Sequence, residues 1–386
     1  MSDRVDERDD GGLAVRLNPS VGGLDAAQWD ALDPTGNPFT SHRFLALLEE
    51  SGSVGTGTGW SPAPLTLGAK DGEILAALPA YLKGHSQGEY VFDHGWADAW
   101  QRAGGSYYPK LQISVPFTPA TGPRVLAPDD ATARTMLRAA EMLCENEGLS
   151  SAHATFIADE QIHIFEDAGW MIREDIQFHW TNRGYENFDE FLATLASRKR
   201  KAIRKERAKA QEGIRIESLT GEMIRPEHWD AFWLFYQDTG ARKWGTPYLT
   251  REAFDLFGQE MANDVLLMLA YDDDVAVAGA LNFIGPEALY GRYWGALVDK
   301  PFLHFELCYY RAIDEAIARG LSRVEAGAQG SHKLARGYEP VRTRSAHFIP
   351  HPGFRAAVAD FLEREALGVG MEQEALQGLS PFRKGP

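Results

Sequence analysis

The sequence is short of cysteine, of positive net charge and of long apolar runs, and each shortage excludes a class of protein. Its two cysteines, Cys144 and Cys308, stand far apart and outside any CxxC pair, which argues against a disulfide scaffold and favours a reducing compartment. A net charge of −16 excludes a molecule built to coat nucleic acid or an anionic membrane. The longest apolar run, residues 265–271, has the length of a strand, whereas a membrane span needs ~20 residues.

Motifs of several enzyme classes are also missing. The chain has no GxSxG, no P-loop ending in GKS or GKT and no HExxH, so nothing anchors a serine hydrolase, a P-loop kinase or a zinc protease. Asp93, His94 and Asp98 are potential metal ligands, as are His347 and His351, but neither group has the spacing of a zinc site. We therefore expect no metal site.

The composition that remains is that of a large globular protein. Over 386 residues, 44% hydrophobic content is ample for an extensive core and predicts two or three domains. Residues 1–12 are polar and acidic, which predicts a disordered leader and not a secretion signal. We therefore expect a cytoplasmic protein.

The pattern of apolar residues predicts the same order of elements twice. The first half predicts, in order, a strand at 13–17, helices at 24–31 and 41–50, a hairpin of 63–69 with 73–83, a polar and aromatic loop region at 90–126, a helix at 130–147, a strand at 152–157, a short helix at 160–168 and a strand at 170–180. The hairpin turn contains Asp71-Gly72, a pair typical of tight turns.

The second half repeats this order and ends in one more helix. It predicts a strand at 214–219, helices at 226–239 and 250–261, a hairpin of 265–271 with 275–284, a strand at 288–295, a helix at 305–319, a strand at 323–326, a short helix at 331–336, a strand at 342–349 and a helix at 353–367. We therefore expect a duplicated α/β fold, not one large sheet. The expected domains are 13–186 and 213–370, joined by a basic helix at 187–212 and followed by a tail at 371–386.

Several motifs resemble one protein family. They are FDHGWADAW (92–100), YYPKLQISVPFTPATGPR (107–124), SRKRKAIRKE (197–206), LYGRYWG (289–295), LHFELCYY (303–310), GAQGSHKLARGYEP (327–340) and SAHF (345–348). Together they resemble the FemAB-like predicted N-acyltransferases of the GNAT superfamily, which are related to the Fem peptidoglycan aminoacyltransferases. The resemblance implies tandem GNAT domains, each a mixed sheet flanked by helices, and transfer of an acyl or aminoacyl group to an amine in the cytoplasm.

The resemblance also bears on which molecule donates the acyl group. Ordinary GNAT enzymes hold the coenzyme A pyrophosphate with a glycine-containing Q/R-x-x-G-x-G/A loop at a helix N-terminus. The nearest sequences here, QRAGGS (101–106) and RYWGAL (292–297), depart from that pattern. We therefore slightly favour aminoacyl-tRNA over acyl-coenzyme A as co-substrate and expect no tightly bound cofactor. The acceptor would be an amine of an amino acid, a peptide or a small molecule.

The LYGRYWG strand is the first candidate part of a site. Strict alternation would place Tyr290, Arg292 and Trp294 on one side, where they would contact substrate. In a GNAT-like site the backbone of this strand would polarise the acyl carbonyl and hold the oxyanion. Arg292 would bind a phosphate or a carboxylate. The alternative is an aromatic face packed under a helix, with Arg292 in a structural ion pair.

The LHFELCYY segment opens a helix and holds the candidate bases. Glu306 or His304 would accept the amine proton, and Tyr310 would contact substrate. The alternative for Glu306 is compensation of the helix dipole in the first turn. Cys308 falls on the apolar stripe, which predicts a buried packing residue and not a nucleophile.

The GAQGSHKLARGYEP segment predicts a tight turn into a short helix that starts at Ser331 and ends before Gly337. Its polar residues are expected to converge with the preceding strand: Glu325, Gln329, His332, Lys333 and Arg336. His332 is a second candidate base, while Lys333 and Arg336 would hold an anion. The alternative is surface charge around a conformational turn.

Two further segments have both a functional and a structural interpretation. In the basic helix, the candidate contacts to RNA phosphates are Arg200, Lys201, Arg204 and Lys205. The alternative there is a solvated helix between domains. In FDHGWADAW, His94 and Trp96 would wall the acceptor pocket, or else only pack a loop. For the whole chain, a non-catalytic GNAT relative that binds a peptide or a partner remains the alternative to an enzyme.

Overall fold

The computed structural model describes residues 12–69, 72–243, 247–327 and 330–383. The first half consists of β1 (Ala14–Leu17), α1 (Ala26–Ala31), α2 (His42–Glu50), β2 (Trp60–Pro62), β3 (Leu65–Gly68), β4 (Ile74–Leu78), β5 (Ala80–Lys83), α3 (His94–Arg102), β6 (Lys110–Ile113), α4 (Asp130–Glu147), β7 (Ala152–Ala154), α5 (Ile162–Asp167) and β8 (Met171–Thr181). Most of the leader predicted at 1–12 and part of the first hairpin turn lie outside the described residues.

Two helices, α6 (Phe188–Thr194) and α7 (Ser197–Gln211), lead into the second half. Its elements are β9 (Ile214–Leu219), α8 (Pro226–Lys243), α9 (Arg251–Glu260), β10 (Val265–Asp272), β11 (Val275–Ile284), β12 (Ala288–Ala296), α10 (Leu303–Phe305), a π-helical turn (Glu306–Tyr310), α11 (Arg311–Ala318), β13 (Arg323–Glu325), a 3-10 helix (Ser331–Arg336), β14 (Glu339–Phe348) and α12 (Pro352–Gly378). The predicted α/β class and the repeated order of elements are confirmed.

The two halves share one sheet, so the expectation of a duplicated fold without a large common sheet is wrong. The 11-stranded sheet has the order β2-β5-β6-β7-β14-β8-β13-β12-β11-β10-β9. Strand β8 of the first half lies between β13 and β14, and β14 of the second half lies between β7 and β8. Each half thus contributes a strand to the other, and the β8–β14 pairing runs from Glu339↔His179 to His347↔Met171. A separate three-stranded sheet has the order β1-β3-β4.

Other differences from the predicted elements concern the connections. The region predicted as loop at 90–126 contains α3 and β6. The predicted single helix at 187–211 breaks at Leu195, which adopts an extended backbone (φ −81°, ψ 154°). Leu195 pairs there with Phe382, and the Ala196 N–H donates to the Pro381 carbonyl. These contacts with residues 381 and 382 stabilise the extended backbone between the two helices. Helix α12 reaches Gly378, so much of the predicted tail is helical.

The apolar core crosses from one half to the other. Phe39 and Phe44 of the first half pack against Phe283 of β11, with ring centroids 5.2 and 5.6 Å away. On the opposite face of the sheet, α11 packs over β12 and β13 together with α6 and α7. Burial on both faces makes the middle of the sheet a rigid frame for the residues at its strand ends. Within the described ranges, no helix has the length and apolarity that crossing a membrane requires.

Candidate functional site

An opening in the sheet lies between β12 and β13. These parallel strands pair at Ala288↔Arg323, Leu289↔Val324 and Tyr290↔Glu325. The pairing stops there, although β12 runs on to Ala296. A cavity of about 120 Å³ occupies the place where the strands separate, and both Gly291 and Ala326 line it. Backbone groups of β12 beyond Tyr290 are therefore placed to bind a ligand instead of a neighbouring strand.

A β-bulge at Arg292 shapes this opening. Along the β11–β12 pairing, Asn282 faces Gly291 and Leu281 faces Tyr293, so Arg292 is the extra residue. A bulge bends its strand and changes the direction of the following side chains. The glycine at 295 is also required, because a Cβ there would collide with the carbonyl of Phe235 in α8. β12 thus passes so close to α8 that only glycine fits at position 295.

The bulge changes which side chains share a face. Tyr290 and Tyr293 pack in the core beside α8 and α9, while Leu289 and Trp294 pack with the core under α11. The predicted alternation of Tyr290, Arg292 and Trp294 on one side is therefore wrong. The glycines at 291 and 295 indicate a possible bulge in the sequence, but which residue is the extra one depends on the pairing with β11.

Arg292 lies at the centre of the opening. Its guanidinium donates to the carbonyl of Phe117, and its charge counteracts the rise that burial causes in the pKa of Tyr90 and Tyr293. Its Nε has no partner, and within the described part of the chain no carboxylate forms an ion pair with it. The structure thus does not support the alternative of a structural ion pair. A guanidinium with spare donors beside a cavity suits a phosphate or a carboxylate.

A second cavity of about 220 Å³ adjoins the first. We call the two together the bulge cleft, because Arg292, Tyr293, Trp294 and His304 line both. The second cavity adds residues that the sequence motifs did not indicate: Tyr90, Tyr236, Thr239, Gly240, Pro247 and Tyr248. They come from a loop of the first half and from α8 and the segment after it, so only tertiary contacts bring them to the cleft.

A row of aromatic and imidazole rings forms one wall of the cleft. The His304 ring lies between Trp294 and Tyr309, with centroids 5.2 and 5.3 Å away. The Tyr309 hydroxyl and His332 Nε2 share a hydrogen bond of 2.9 Å. His332 itself is exposed, and its pKa is lowered by partial desolvation and by the charges of Arg336 and Lys333. Two of the predicted bases, His304 and His332, therefore lie beside the cleft.

Cys308 packs against the core under α11, as predicted, but it is not fully buried. It is only partly buried and lines the smaller cavity together with Tyr309. The π-helical turn at Glu306–Tyr310 inserts an extra residue into the helix, and such turns shift side chains off the regular stripe. The apolar spacing nevertheless predicted the packing face correctly, because Phe305, Cys308 and Tyr309 all pack in the core under α11.

Glu306, the third predicted base, is a structural residue. It is fully buried and accepts hydrogen bonds from Arg207 at 3.0 and 3.1 Å and from Gln211 at 2.9 Å. Arg207 also pairs with Asp314 at 2.6 Å. A fully buried carboxylate that is occupied by these hydrogen bonds lies out of reach of substrate. The structure thus corrects the catalytic assignment of Glu306.

Arg336 and Tyr310 join in a second cluster that faces α7. Arg336 Nη2 lies 2.9 Å from Glu206 Oε2, and the Tyr310 hydroxyl donates to the same carboxylate. The guanidinium also lies 3.4 Å from the centroid of the Phe305 ring. Both residues are buried, so the prediction that they contact substrate is not supported. They fix the position of the 3-10 helix against α7.

Lys333 is buried too, and its Nζ donates to the carbonyl of Gly327 at 2.8 Å. Desolvation lowers the pKa of this amine to about 8. Its contact closes the turn between β13 and the 3-10 helix, where Gly327 has a left-handed φ of 75°. Gln329, predicted to join the same group, lies outside the described residues.

Four further predicted site residues lie away from the bulge cleft. Tyr290 and Glu325 line a different cavity, which opens between the two halves. Successive residues of a strand face opposite sides, which separates Glu325 from Ala326. The predicted convergence of Glu325 with His332, Lys333 and Arg336 is therefore wrong. His94 begins α3, and Trp96 walls an apolar groove between α3 and α12, so both remain outside the cleft.

The basic helix α7 has two faces. Glu206 and Arg207 face inward and hold the cleft elements, as described above. Lys201, Arg204 and Lys205 are exposed, and Arg200 is half-buried. Arg204 pairs with Asp189 at 2.8 Å on the surface. The structure thus places an exposed cationic face on the same helix that supports the cleft.

The matching place in the first half is filled. Strands β6 and β7 are parallel, as β12 and β13 are. Beyond them, however, Gly122 pairs with Ile157, and the buried Arg124 donates to the carbonyl of Thr155 at 2.6 Å. The chain itself therefore occupies this opening, which leaves the second half with the open site.

The comparisons with known proteins agree with this fold. Residues 20–384 match the model of the FemAB-like family, described as peptidoglycan biosynthesis and recognition. The chain belongs to the FemAB-like family. The resemblance seen in the motifs is thus confirmed. Among curated protein sequences, none matches this FemAB-like chain.

Solved structures show the same fold at low identity. FemX is 12% identical with a TM-score of 0.55, over 86% of this chain and 98% of FemX. The L-PGS of Bacillus licheniformis is 11% identical with a TM-score of 0.50, over 82% of this chain and 95% of that one. A conserved protein of unknown function from Bacteroides thetaiotaomicron is 12% identical with a TM-score of 0.50, over 87% and 100%. At such identities the likeness concerns the fold alone.

Proposed function

We propose that this FemAB-like protein is an N-acyltransferase that moves an acyl or aminoacyl group from an activated ester to an amine. The observation that carries the proposal is the opening between β12 and β13, where backbone, Arg292 and imidazole groups meet in one cleft. Family membership supports the transferase class. The acceptor would be an amine of an amino acid, a peptide or a small molecule in the cytoplasm.

The backbone of β12 would stabilise the reacting carbonyl. In the reaction, the amine lone pair attacks the ester carbonyl carbon, the carbonyl oxygen becomes an oxyanion, and the C–O bond to the leaving group then breaks. Backbone N–H groups that face an opening are pre-oriented donors, and one such donor typically contributes roughly 3 kcal/mol to the transition state. Residues 291–294 lie where such donors are needed.

A base must accept the proton that the amine loses, and two histidines are the candidates. His304 lines both cavities and is therefore the proposed acceptor of this proton. Tyr309 lines the smaller cavity and is hydrogen-bonded to His332, which is exposed. Because its pKa is lowered, His332 is neutral at pH 7 and able to pass a proton from Tyr309 to solvent. The leaving oxygen takes up a proton as the C–O bond breaks.

Two features favour aminoacyl-tRNA over acyl-coenzyme A. Residues 297–302 connect β12 to α10 and contain no glycine, but they contain Asp299 and Pro301. Such a loop binds pyrophosphate poorly, because proline lacks an N–H donor and the carboxylate repels the anion. The cation of this connection, Lys300, donates to the carbonyl of Glu212. In contrast, α7 exposes Lys201, Arg204 and Lys205 on a helix that supports the cleft, which suits a polyanion. The donor would act as a co-substrate, with no tightly bound cofactor.

A donor comparison tests the proposal. The full chain is incubated with total tRNA charged with labelled amino acids, or with labelled acetyl-coenzyme A, and a mixture of lysine-containing peptides. We expect label in the peptides from the tRNA and none from acetyl-coenzyme A.

His304→Ala should abolish the transfer. His163→Ala, which changes an exposed histidine of the first half, should leave it unchanged. Transfer from acetyl-coenzyme A alone would overturn the choice of donor. Tight binding of both donors without transfer would instead indicate a binding module.

A further inference from the structure

A polar cavity of about 630 Å³ lies between the two halves. Its walls come from first-half segments 34–37 and 121–123 and from the starts of β12 and β13. Tyr290 and Glu325 line it, whereas the next residues, Gly291 and Ala326, line the bulge cleft. The cavity and the cleft therefore have no lining residue in common. Its volume falls in the range of small-molecule sites, roughly 300–1,000 Å³.

Glu325 presents an unsatisfied carboxylate oxygen in this cavity. The residue is 4% exposed, and its Oε1 accepts from Arg323 Nε at 2.9 Å. Its Oε2 is buried and has no hydrogen-bond partner. The nearest imidazole nitrogen, Nε2 of His179, is 3.9 Å away, and burial lowers the pKa of that ring, which keeps it neutral. Leaving a charged oxygen buried without a donor is costly, so a donor from a ligand would explain it.

The charges around the cavity favour a cation. Four carboxylates line it, Asp159, Glu160, Glu287 and Glu325, against two guanidiniums, Arg323 and Arg342. Arg342 is already paired with Glu174 at 2.8 Å and Asp159 with Arg344 at 2.6 Å, both partners lying outside the lining.

Arg323 alone is then left to neutralise the remaining carboxylates. It contacts Glu325 at 2.9 Å and Glu287 at 3.3 Å. Arg124 also interacts electrostatically with Glu325. Its guanidinium, however, donates to backbone carbonyls, such as that of Ala120 at 2.7 Å. The excess of negative charge next to an unpaired oxygen fits a ligand that brings its own positive hydrogen-bond donor.

We propose that this cavity binds the ammonium group of a small amino compound, of the size of an amino acid or a short peptide. The ammonium group donates to Glu325 Oε2, and the rest of the ligand extends toward segments 34–37 and 121–123. The site is separate from the bulge cleft. It does not depend on the transfer reaction proposed above, because binding here needs no donor.

Calorimetric titration of the full chain, without any tRNA or coenzyme A, tests the site. The probes are L-lysine, cadaverine and the tripeptide Ala-Lys-Ala, each compared with its fully acetylated form. We expect saturable binding of at least one amine and none of the acetylated forms. Glu325→Gln, which keeps the size and the contact to Arg323, should weaken binding roughly tenfold or more, as expected for one charge-assisted hydrogen bond. Glu363→Gln, on the exposed face of α12, should change nothing.

A second variant tests the site independently, in case Glu325→Gln weakens binding only by disturbing the fold. Val341 lines the cavity and is 36% exposed, so Val341→Phe fills the space without touching the carboxylate. It should weaken binding while the thermal unfolding midpoint stays at the wild-type value. Absence of binding for all three amines at millimolar concentration would overturn the proposal, and so would equal affinity of the wild type and Glu325→Gln. Neither result would bear on transfer in the cleft.

Discussion

The guanidinium of Arg336 joins two parts of the candidate site, since its Nη2 lies 2.9 Å from Glu206 of α7 and its Nη1 2.7 Å from the His332 carbonyl oxygen. The basic helix and the proposed proton carrier are therefore held by one side chain. Arg336 does not line the cleft, so it is a positioning residue and acts through His332.

Arg336→Met should lower both stability and transfer, because it leaves Glu206 as a mostly buried and unpaired carboxylate. Breaking such a pair from one side typically costs roughly 3 kcal/mol. The double variant with Glu206→Gln should lose less than the two single losses together, since neither group is then left unpaired. Urea denaturation of the four proteins measures this coupling. Strict additivity would contradict the ion pair.

Glu306→Gln should behave as a change of structure and not of chemistry. A neutral amide in place of the buried carboxylate leaves Arg207 short of a counter-charge and should cost roughly 3–5 kcal/mol of the free energy of unfolding. The pH profile of transfer by the folded fraction should keep its shape. Asp314→Asn, which changes the more exposed partner of Arg207, is the control and should cost less. A large loss of kcat at wild-type stability would restore Glu306 as the base.

The Tyr309–His332 pair predicts a pH dependence of transfer. Because the pKa of His332 is lowered, its imidazole stays neutral above its usual 6.5, so kcat should be level there and fall at lower pH. Tyr309→Phe should reduce kcat roughly a hundredfold, the typical contribution of a proton-transfer group. His332→Ala should also remove the acid limb of the profile. An unchanged limb would mean that another group titrates.

Charge reversal on the exposed face of α7 should weaken the binding of tRNA. Lys201→Glu with Lys205→Glu removes two candidate phosphate contacts, so the slope of log affinity against log salt should fall by about 2. The matched control reverses two exposed arginines elsewhere, Arg102→Glu with Arg364→Glu, and keeps the same net charge. Filter binding over a salt series compares the two variants. Equal slopes would exclude α7 as the phosphate contact.

A buried histidine pair between β7 and β14 predicts loss of stability in acid. Nδ1 of His153 lies 2.7 Å from Nδ1 of His347, and both residues are 2% exposed. Desolvation lowers the pKa of His153 from 6.5 to about 3, and that of His347 falls as well. Below 6.5 the unfolded chain therefore binds protons that the folded chain does not. Stability is lost as the pH falls, by about 1.4 kcal/mol per pH unit for each imidazole.

Glu89 opposes this loss. Burial raises its pKa to about 7, so between 7 and its usual 4.5 the folded chain takes up a proton that the unfolded chain does not. Over that window these three groups together should thus lose the equivalent of one imidazole, to which other histidines with a lowered pKa, such as His179, add. Urea denaturation at about pH 7 and about pH 5 measures it. His347→Gln should flatten the dependence, Glu89→Gln should steepen it, and His163→Gln should leave it unchanged.

Much of the fold was predictable because it rests on local patterns. The hairpin of β10 and β11, the strand β12 and the helix α4 all follow from apolar spacing and turn residues. The site was predictable only as a region. His304, Arg292 and Trp294 line the cleft, but Glu306 and Arg336 proved to be paired with α7, and no sequence pattern links residues about a hundred positions apart.

The sequence alone determined the family, the repeated order of elements and the region that holds the site, because motifs and apolar periodicity are properties of neighbouring residues. Only the tertiary structure decided which charges are free. The bulge at Arg292 depends on its pairing with β11. The role of Glu306 depends on its pairing with Arg207, and that of Glu325 on the cavity that it lines. Whether a carboxylate is paired or available is set by its neighbours in space, and those come from distant parts of the chain.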